Sequence, residues 1–245
     1  MTTFVYFYVP GPKQGLELKL SMESVLKHWD RKDSPTFTVI GDKPKWYNDH
    51  YIPIRRNVGV QDAKTRMPFR DTQHKIIVAA SHPEIPEEFV WMMDDVFLMK
   101  PVTLKELKVP RYDPWYQITT KSTWHGLIRI TFAALAKHDK STLQYGTHLP
   151  IVFEKTKLRE LFPIYNFPKE LLLFEILYCN HFHDPNKSVP YGSTLNGVKY
   201  PQFMHRVLSP KTERELNLID SKFVNYSQHM FNPTMQRWLQ KKVME

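Results

Sequence analysis

The chain is most constrained by Phe89-Val90-Trp91-Met92-Met93-Asp94-Asp95-Val96-Phe97-Leu98, where two adjacent carboxylates end one apolar run and precede another. A continuous apolar run reads as a buried strand, and carboxylates at its end must be hydrated, paired or metal-bound to offset desolvation. The strand must therefore finish at an edge that water or a cation can reach. Hard divalent cations take oxygen ligands, commonly one or two carboxylates, with the rest of the shell from water and substrate phosphates. Asp94 and Asp95 thus predict a metal and phosphate site. The bland alternative is that Asp94 caps a turn while Asp95 points into solvent.

The rest of the chain supplies a frame for that strand. Leu16, Leu20, Val25 and Leu26 recur near helical spacing between two β-rich runs, which predicts a strand over 4–9, a helix over 15–29 and a strand over 36–41. A short extended run near 51–56, a helix over 70–81 and the strand 89–93 follow. Beyond Pro101 the spacing predicts a helix over 126–138, an apolar segment at 149–153, a helix near 168–179 and a basic tail from Met235 to Lys242. Strands alternating with helices predict an α/β fold: a mostly parallel sheet with helices on both faces and a helical C-terminal elaboration. With no repeat or clear linker, the 245 residues read as one large domain. Ligands of such sheets gather at the carboxyl ends of strands, so Asp42, just after the second strand, is expected to share an edge with Asp94 and Asp95.

Composition removes several alternatives. Neither a Walker phosphate loop nor a GxGxxG turn occurs, so the familiar Gly-rich nucleotide sites are excluded. The lone Cys179 forms no internal disulfide, and the run Phe4 to Val9 is too short for a signal-peptide core or a membrane span, so a cytoplasmic protein without membrane insertion is expected. A net charge of +9 points to an acidic partner such as nucleic acid, an anionic membrane face or a phosphorylated small molecule. Part of it is local, in Arg55, Arg56, Lys64, Arg66, Arg70 and Lys75, just before the carboxylate strand. A solvated helix face would explain that run equally well.

A buried strand ending in Met-Asp-Asp-Val-Phe-Leu after two strand–helix steps resembles the acidic metal motif of nucleotide-sugar glycosyltransferases with the GT-A fold. The nearer resemblance is to small, often phage-encoded glycosyltransferases related to Stealth-type sugar-phosphate transferases. Phe89 to Pro101, Tyr145 to Lys155 and Phe174 to Asn180 carry it. The chain departs from the family pattern in having Asp94-Asp95 where Asp-x-Asp is usual. The resemblance implies that residues 1–101 form a nucleotide-sugar-binding half, 102–245 an acceptor-side elaboration, and that the cofactors are Mn²⁺ or Mg²⁺ and a nucleotide-sugar donor, commonly UDP-linked. A metal would stabilise charge developing on the departing diphosphate. Asp95 is then the direct ligand and Asp94 orients donor hydroxyls or a metal-bound water. Arg70 and Lys75 are placed to meet phosphate oxygens.

The same likeness makes His148 a site residue toward metal, diphosphate or acceptor, a neutral imidazole being able to ligate Mn²⁺ or act as a base. His125 is a weaker candidate. His181 and His183 lack the spaced Cys pairs of structural zinc, but either could complete the catalytic metal shell, and Asp184 or Glu175 could serve as base. Among phage-like relatives the resemblance allows transfer to 5-hydroxymethylcytosine in DNA, and the bases and aromatics of Arg111-Tyr112-Asp113-Pro114-Trp115-Tyr116 and Lys199-Tyr200 suit a DNA acceptor. A phage enzyme would work in the host cytoplasm. The alternatives are sugar or sugar-phosphate transfer to a surface polysaccharide, and a non-catalytic basic DNA-binding protein. No helix-turn-helix, zinc-finger or basic heptad pattern supports the last.

Overall fold

β-branched and aromatic side chains fill Thr2 to Tyr8, where all but one residue is buried, and such residues pack well on both faces of a pleated sheet. The computed structural model describes residues 1–10, 15–30, 32–54, 68–116, 122–167, 169–195, 198–200, 203–226 and 230–244, with backbone alone at 68, 193–195 and 198–200. The chain runs β1 (Thr2–Tyr8), α1 (Leu16–His28), β2 (Pro35–Gly41), β3 (His50–Pro53), α2 (Pro68–Ser81), β4 (Glu88–Met92) and β5 (Val96–Leu98). It continues through α3 (Leu104–Leu107), β6 (Arg111–Tyr112), α4 (Thr123–Ala136), β7 (Ile151–Glu154), α5 (Lys155–Ile164) and α6 (Phe174–Phe182). The last elements are β8 (Val189–Pro190), β9 (Ser193–Leu195), β10 (Val198–Tyr200), β11 (Met204–Val207), α7 (Glu213–Asn217), β12 (Phe223–Tyr226) and α8 (Pro233–Met244).

The main sheet has the order β3-β2-β1-β4-β7. β1 pairs in parallel with β2, Thr2 opposite Pro35 and Tyr8 opposite Gly41, and with β4, Phe4 opposite Val90 and Tyr6 opposite Met92. β7 closes the edge antiparallel, from Glu88 opposite Glu154 to Trp91 opposite Ile151. The chain thus steps outward from β1 to β3, then returns to lay β4 on the other side of β1. That reversal is the point at which open α/β sheets form a crevice beyond the carboxyl ends of their strands, here those of β1 and β4, and receive ligands. Asp94 and Asp95 follow β4 at this point.

Alternating side chains bury both faces. Val5, Ile40, Trp91 and Phe153 join a core with residues of α2, α4, α5 and α6, while Phe4, Tyr6, Val39 and Met92 pack against α1, β5 and β11. The expectation of an α/β fold with a mostly parallel, doubly covered sheet therefore holds. The expected helical C-terminal elaboration is instead mixed: β11, β12 and β5 form a second sheet, in which Asn225 stands opposite both Arg206 and Val96. Four-residue strands paired across most of the chain leave no periodic signal. Two helices also differ from expectation. α5 follows β7 directly, with no turn residue to separate the two patterns, and α6 starts at Phe174, several residues late. Phe174 through Asn180 are all buried, so this helix has no polar face by which periodicity could frame it.

Candidate active site at the carboxyl edge

The floor of the crevice is built around the last carbonyl of β1. Tyr8 O accepts hydrogen bonds from the backbone N–H of Asp42 (3.2 Å) and from Lys75 Nζ (3.0 Å). Lys75, one helical turn after Asp71, is buried and holds its carboxylate at 2.6 Å. Gly41 makes this approach possible: its φ is +125°, and a Cβ there would sit 2.4 Å from Tyr8 O and 2.7 Å from Lys75 Cε. The sequence expectation that Lys75 meets phosphate is modified accordingly. Its ammonium lies at the site but ties α2 to the ends of β1 and β2, while its field offsets part of the charge at Asp94.

Asp94 and Asp95 are surrounded by protein yet keep partial solvent access, as expected on the floor of a cleft. Burial, then the neighbouring carboxylates Asp95 and Glu17, hold Asp94 well above the usual carboxylate range. Burial also raises Asp95, against a hydrogen bond from Asn225 and the field of Arg206. Glu17, in the first turn of α1, accepts a 2.5 Å hydrogen bond from Tyr226 OH. The site therefore concentrates negative charge around buried oxygens, and Asp95 Oδ1 has no hydrogen-bond partner among the described residues.

His148 reaches this edge because β7 runs antiparallel to β4: beyond the last pair, Trp91 with Ile151, the two segments lead to Asp94 and His148 respectively. Its φ of 61° is the left-handed conformation that His rarely adopts, a form of strain that collects at functional sites. Burial and then Arg206 lower its pKa to about 4, so the imidazole is neutral at physiological pH. Its Nδ1 is buried without a partner among the described residues, as is Asn225 Oδ1. Asn225 is 1% exposed and donates from Nδ2 to the Asp95 carbonyl (3.1 Å). Sequence reasoning missed Glu17, Arg206 and Asn225. A lone Asn within the apolar run Phe223-Val224-Asn225-Tyr226 was the available signal, since buried polar residues need a reason.

The other sequence candidates separate. Asp42 stays at the crevice, its charge felt by Tyr8 and Tyr51. Arg70 instead donates from Nη1 to the Lys169 carbonyl (3.1 Å) and Gln73 Oε1 (3.4 Å), bracing α2 against the loop before α6. α6 runs from the carboxyl edge of the sheet toward its amino edge: Phe174 packs on Trp91 at 4.9 Å between centroids, and Tyr178 OH accepts from Glu154 N. Glu175 is thereby kept near the carboxyl edge, buried, with a pKa pushed up to about 7 by burial. His181 is carried the other way. Its Nδ1 meets Tyr165 OH at 2.9 Å, beside His138 and Lys140, rather than the carboxylate pair. Asp184 is exposed and caps the turn Pro185–Lys187 by accepting from Asn186 N. His125 packs edge-on against Tyr116 at 5.5 Å. Arg55, Arg56, Lys64 and Arg66, and the side chains of Lys199 and Tyr200, lie outside the described residues.

A cavity of about 190 Å³ runs along the outer side of β7, from Leu149 and Pro150 to Glu88, Glu154 and His183, and is lined also by Arg111, Tyr145, Thr147, Cys179 and Phe203. Thr147 and Leu149, the chain neighbours of His148, line one end of it. For a divalent cation the fit is partial but specific. Among the described residues no group of three or more His, Cys, Asp and Glu could hold one alone, whereas Mg²⁺ or Mn²⁺ needs only one or two carboxylates when substrate phosphate completes the shell. The unpartnered Asp95 Oδ1 has the donor chemistry such a shell would use. Among the described residues no helix is long and apolar enough to cross a membrane. No protein-family model and no curated protein matches the chain.

Proposed function

We propose that the chain is a metal-dependent glycosyltransferase of GT-A type, which moves a sugar from a nucleoside-diphosphate donor, commonly a UDP-sugar, to an acceptor hydroxyl. One observation carries this reading: two crowded carboxylates, one with an orphaned buried oxygen among the described residues, follow β4, beside the central strand, where the strand order reverses. Such a pair repels a bare diphosphate and accepts it only with an intervening cation. Mn²⁺ or Mg²⁺, when bound, would neutralise charge on the leaving diphosphate. Asp95 would hold it through Oδ1, and Asp94 would orient donor hydroxyls. In the transfer the acceptor oxygen bonds to the anomeric carbon, the bond from that carbon to the diphosphate oxygen breaks, and the hydroxyl proton passes to a base. Glu175, in the first turn of α6 at the carboxyl edge, is assigned that duty, and its pKa of about 7 is one at which a base works well. His148, a weak base, is assigned to holding donor or acceptor by a hydrogen bond to its free Nδ1.

The test is nucleotide release from a panel of nucleotide sugars with Mn²⁺, with hydroxymethylcytosine DNA, unmodified DNA, an acidic glycan or no acceptor. Release from one donor, abolished by chelation and by Asp95→Asn, is the expected result. Stimulation by hydroxymethylated DNA alone would identify the phage-type acceptor, and stimulation by glycan would identify surface-polysaccharide transfer. No release from any donor would overturn the reading and leave a non-catalytic basic protein.

A further inference from the structure

Arg111 is an anomaly in the cavity wall. It begins β6, half-buried, with its guanidinium lying 3.6 Å above the centre of the Phe203 ring. Nη1 donates to the carbonyls of Glu106 (2.6 Å) and Val109 (2.9 Å), which fix its plane. Neither partner is charged. Among the described residues no carboxylate forms an ion pair with it. The nearest field is that of Glu106, whose carboxylate already pairs with Lys222 and caps α3 at Thr103. A half-buried cation without a counter-ion is costly unless an anion arrives.

The other charges around the cavity cancel. Glu88 pairs with Lys108 and Glu154 with Lys157, each at 2.6 Å, and burial keeps His183 below its ordinary pKa and thus neutral. One positive charge is left over, at a planar guanidinium whose remaining donors suit a carboxylate or phosphate. The space, about 190 Å³, admits one sugar ring rather than a drug-sized ligand. Thr147 and Leu149, which flank His148 in the chain, line its end at the carboxyl edge of β4, and Glu175 lies one helical turn before the lining residue Cys179.

We infer that this cavity is an acceptor subsite for an acidic sugar residue, a uronate or sugar phosphate, whose anionic group is held by Arg111 while a hydroxyl lies toward the end lined by Thr147 and Leu149. The inference rests on the glycosyltransferase reading for the name of the ligand, and on Arg111 alone for its charge. A pocket of this size favours a single acidic residue over a polynucleotide, whose phosphates run along a surface.

The experiment measures binding of glucuronate, inorganic phosphate and neutral glucose to the whole chain by calorimetry or ligand-observed NMR, without nucleotide sugar or Mn²⁺. Glucuronate or phosphate should bind about tenfold or more tighter than glucose, and Arg111→Gln should abolish the preference. Lys241→Gln, on the exposed part of α8, should leave it intact. Should Arg111→Gln fail to fold, Val109→Phe narrows the cavity while keeping the guanidinium's backbone partners, and should weaken all three ligands. Equal binding of glucuronate, phosphate and glucose, a preference that survives Arg111→Gln, or binding of a hydroxymethylcytosine oligonucleotide but of neither small anion would overturn the inference. Anion binding with no turnover of any donor would remove the glycosyltransferase reading while keeping the anion site. Turnover without anion preference would do the reverse.

Discussion

At the scale of single residues, the carboxylate pair couples function to pH. Asp94 and Asp95 hold protons more tightly folded than unfolded, so the native state binds more protons between the ordinary carboxylate pKa and their raised values. Stability of the metal-free protein should therefore fall as pH rises through that window. Asp94→Asn should flatten the fall and raise stability at pH 8 by about 2 kcal/mol, after allowance for partial solvent access. Urea unfolding at pH 5 and pH 8 checks this, and an unchanged slope would mean that the pair is not strained. His148 makes the opposite trade. Its left-handed backbone should make His148→Gly neutral or about 1 kcal/mol stabilising, while turnover falls about 10²-fold through loss of the imidazole. Because its pKa lies near 4, no limb of the pH–rate profile near 6.5 should belong to it. A limb near 7 that disappears in Glu175→Gln would instead identify the base.

At the scale of elements, the site depends on how strand ends are fastened. Gly41 lets Lys75 pass beneath β2, so Gly41→Ala should cost about 3 kcal/mol or more in urea unfolding, both through its positive φ and through collision with Tyr8 O. A smaller loss would show that Lys75 can withdraw freely. Asn225 links the second sheet to the Asp95 backbone, so Asn225→Ala should weaken Mn²⁺ binding about 10- to 100-fold with little change in fold, as loss of a supporting partner does at metal sites. Calorimetric titration with Mn²⁺ decides it. These fastenings explain which site residues were legible. Asp94 and Asp95 announce themselves by interrupting an apolar run. Glu17 looks like an ordinary first-turn acid, and only the packing of α1 against β12 turns it toward the carboxylates.

For the molecule as a whole, a net charge of +9 supports two different kinds of acceptor, and salt separates them. A duplex held by many phosphate contacts loses about 10³-fold or more in affinity between 50 and 200 mM salt. A single acidic residue on Arg111 should lose only about fourfold, one ion's worth, over the same range. Acceptor KM measured against salt gives the slope directly. The bases and aromatics that suggested DNA are partly engaged within the protein: Arg111 on Phe203, and Tyr112 edge-on to Tyr145, leaving Trp115 exposed.

The sequence by itself determined the parallel sheet and the position of its carboxylate pair, because buried strands and amphipathic helices write their periods locally. Tertiary structure alone decided what stands around that pair. The reversal of strand order, the antiparallel return that carries His148 back, and the pairing of β5 with β12 join residues far apart in the chain. α6 shows the limit most directly: its buried, unpatterned surface gave no sign that Glu175 would lie toward the carboxyl edge of the sheet while His181 was carried to the other edge. Such placements arise from packing between elements, and packing leaves no period in the chain to read.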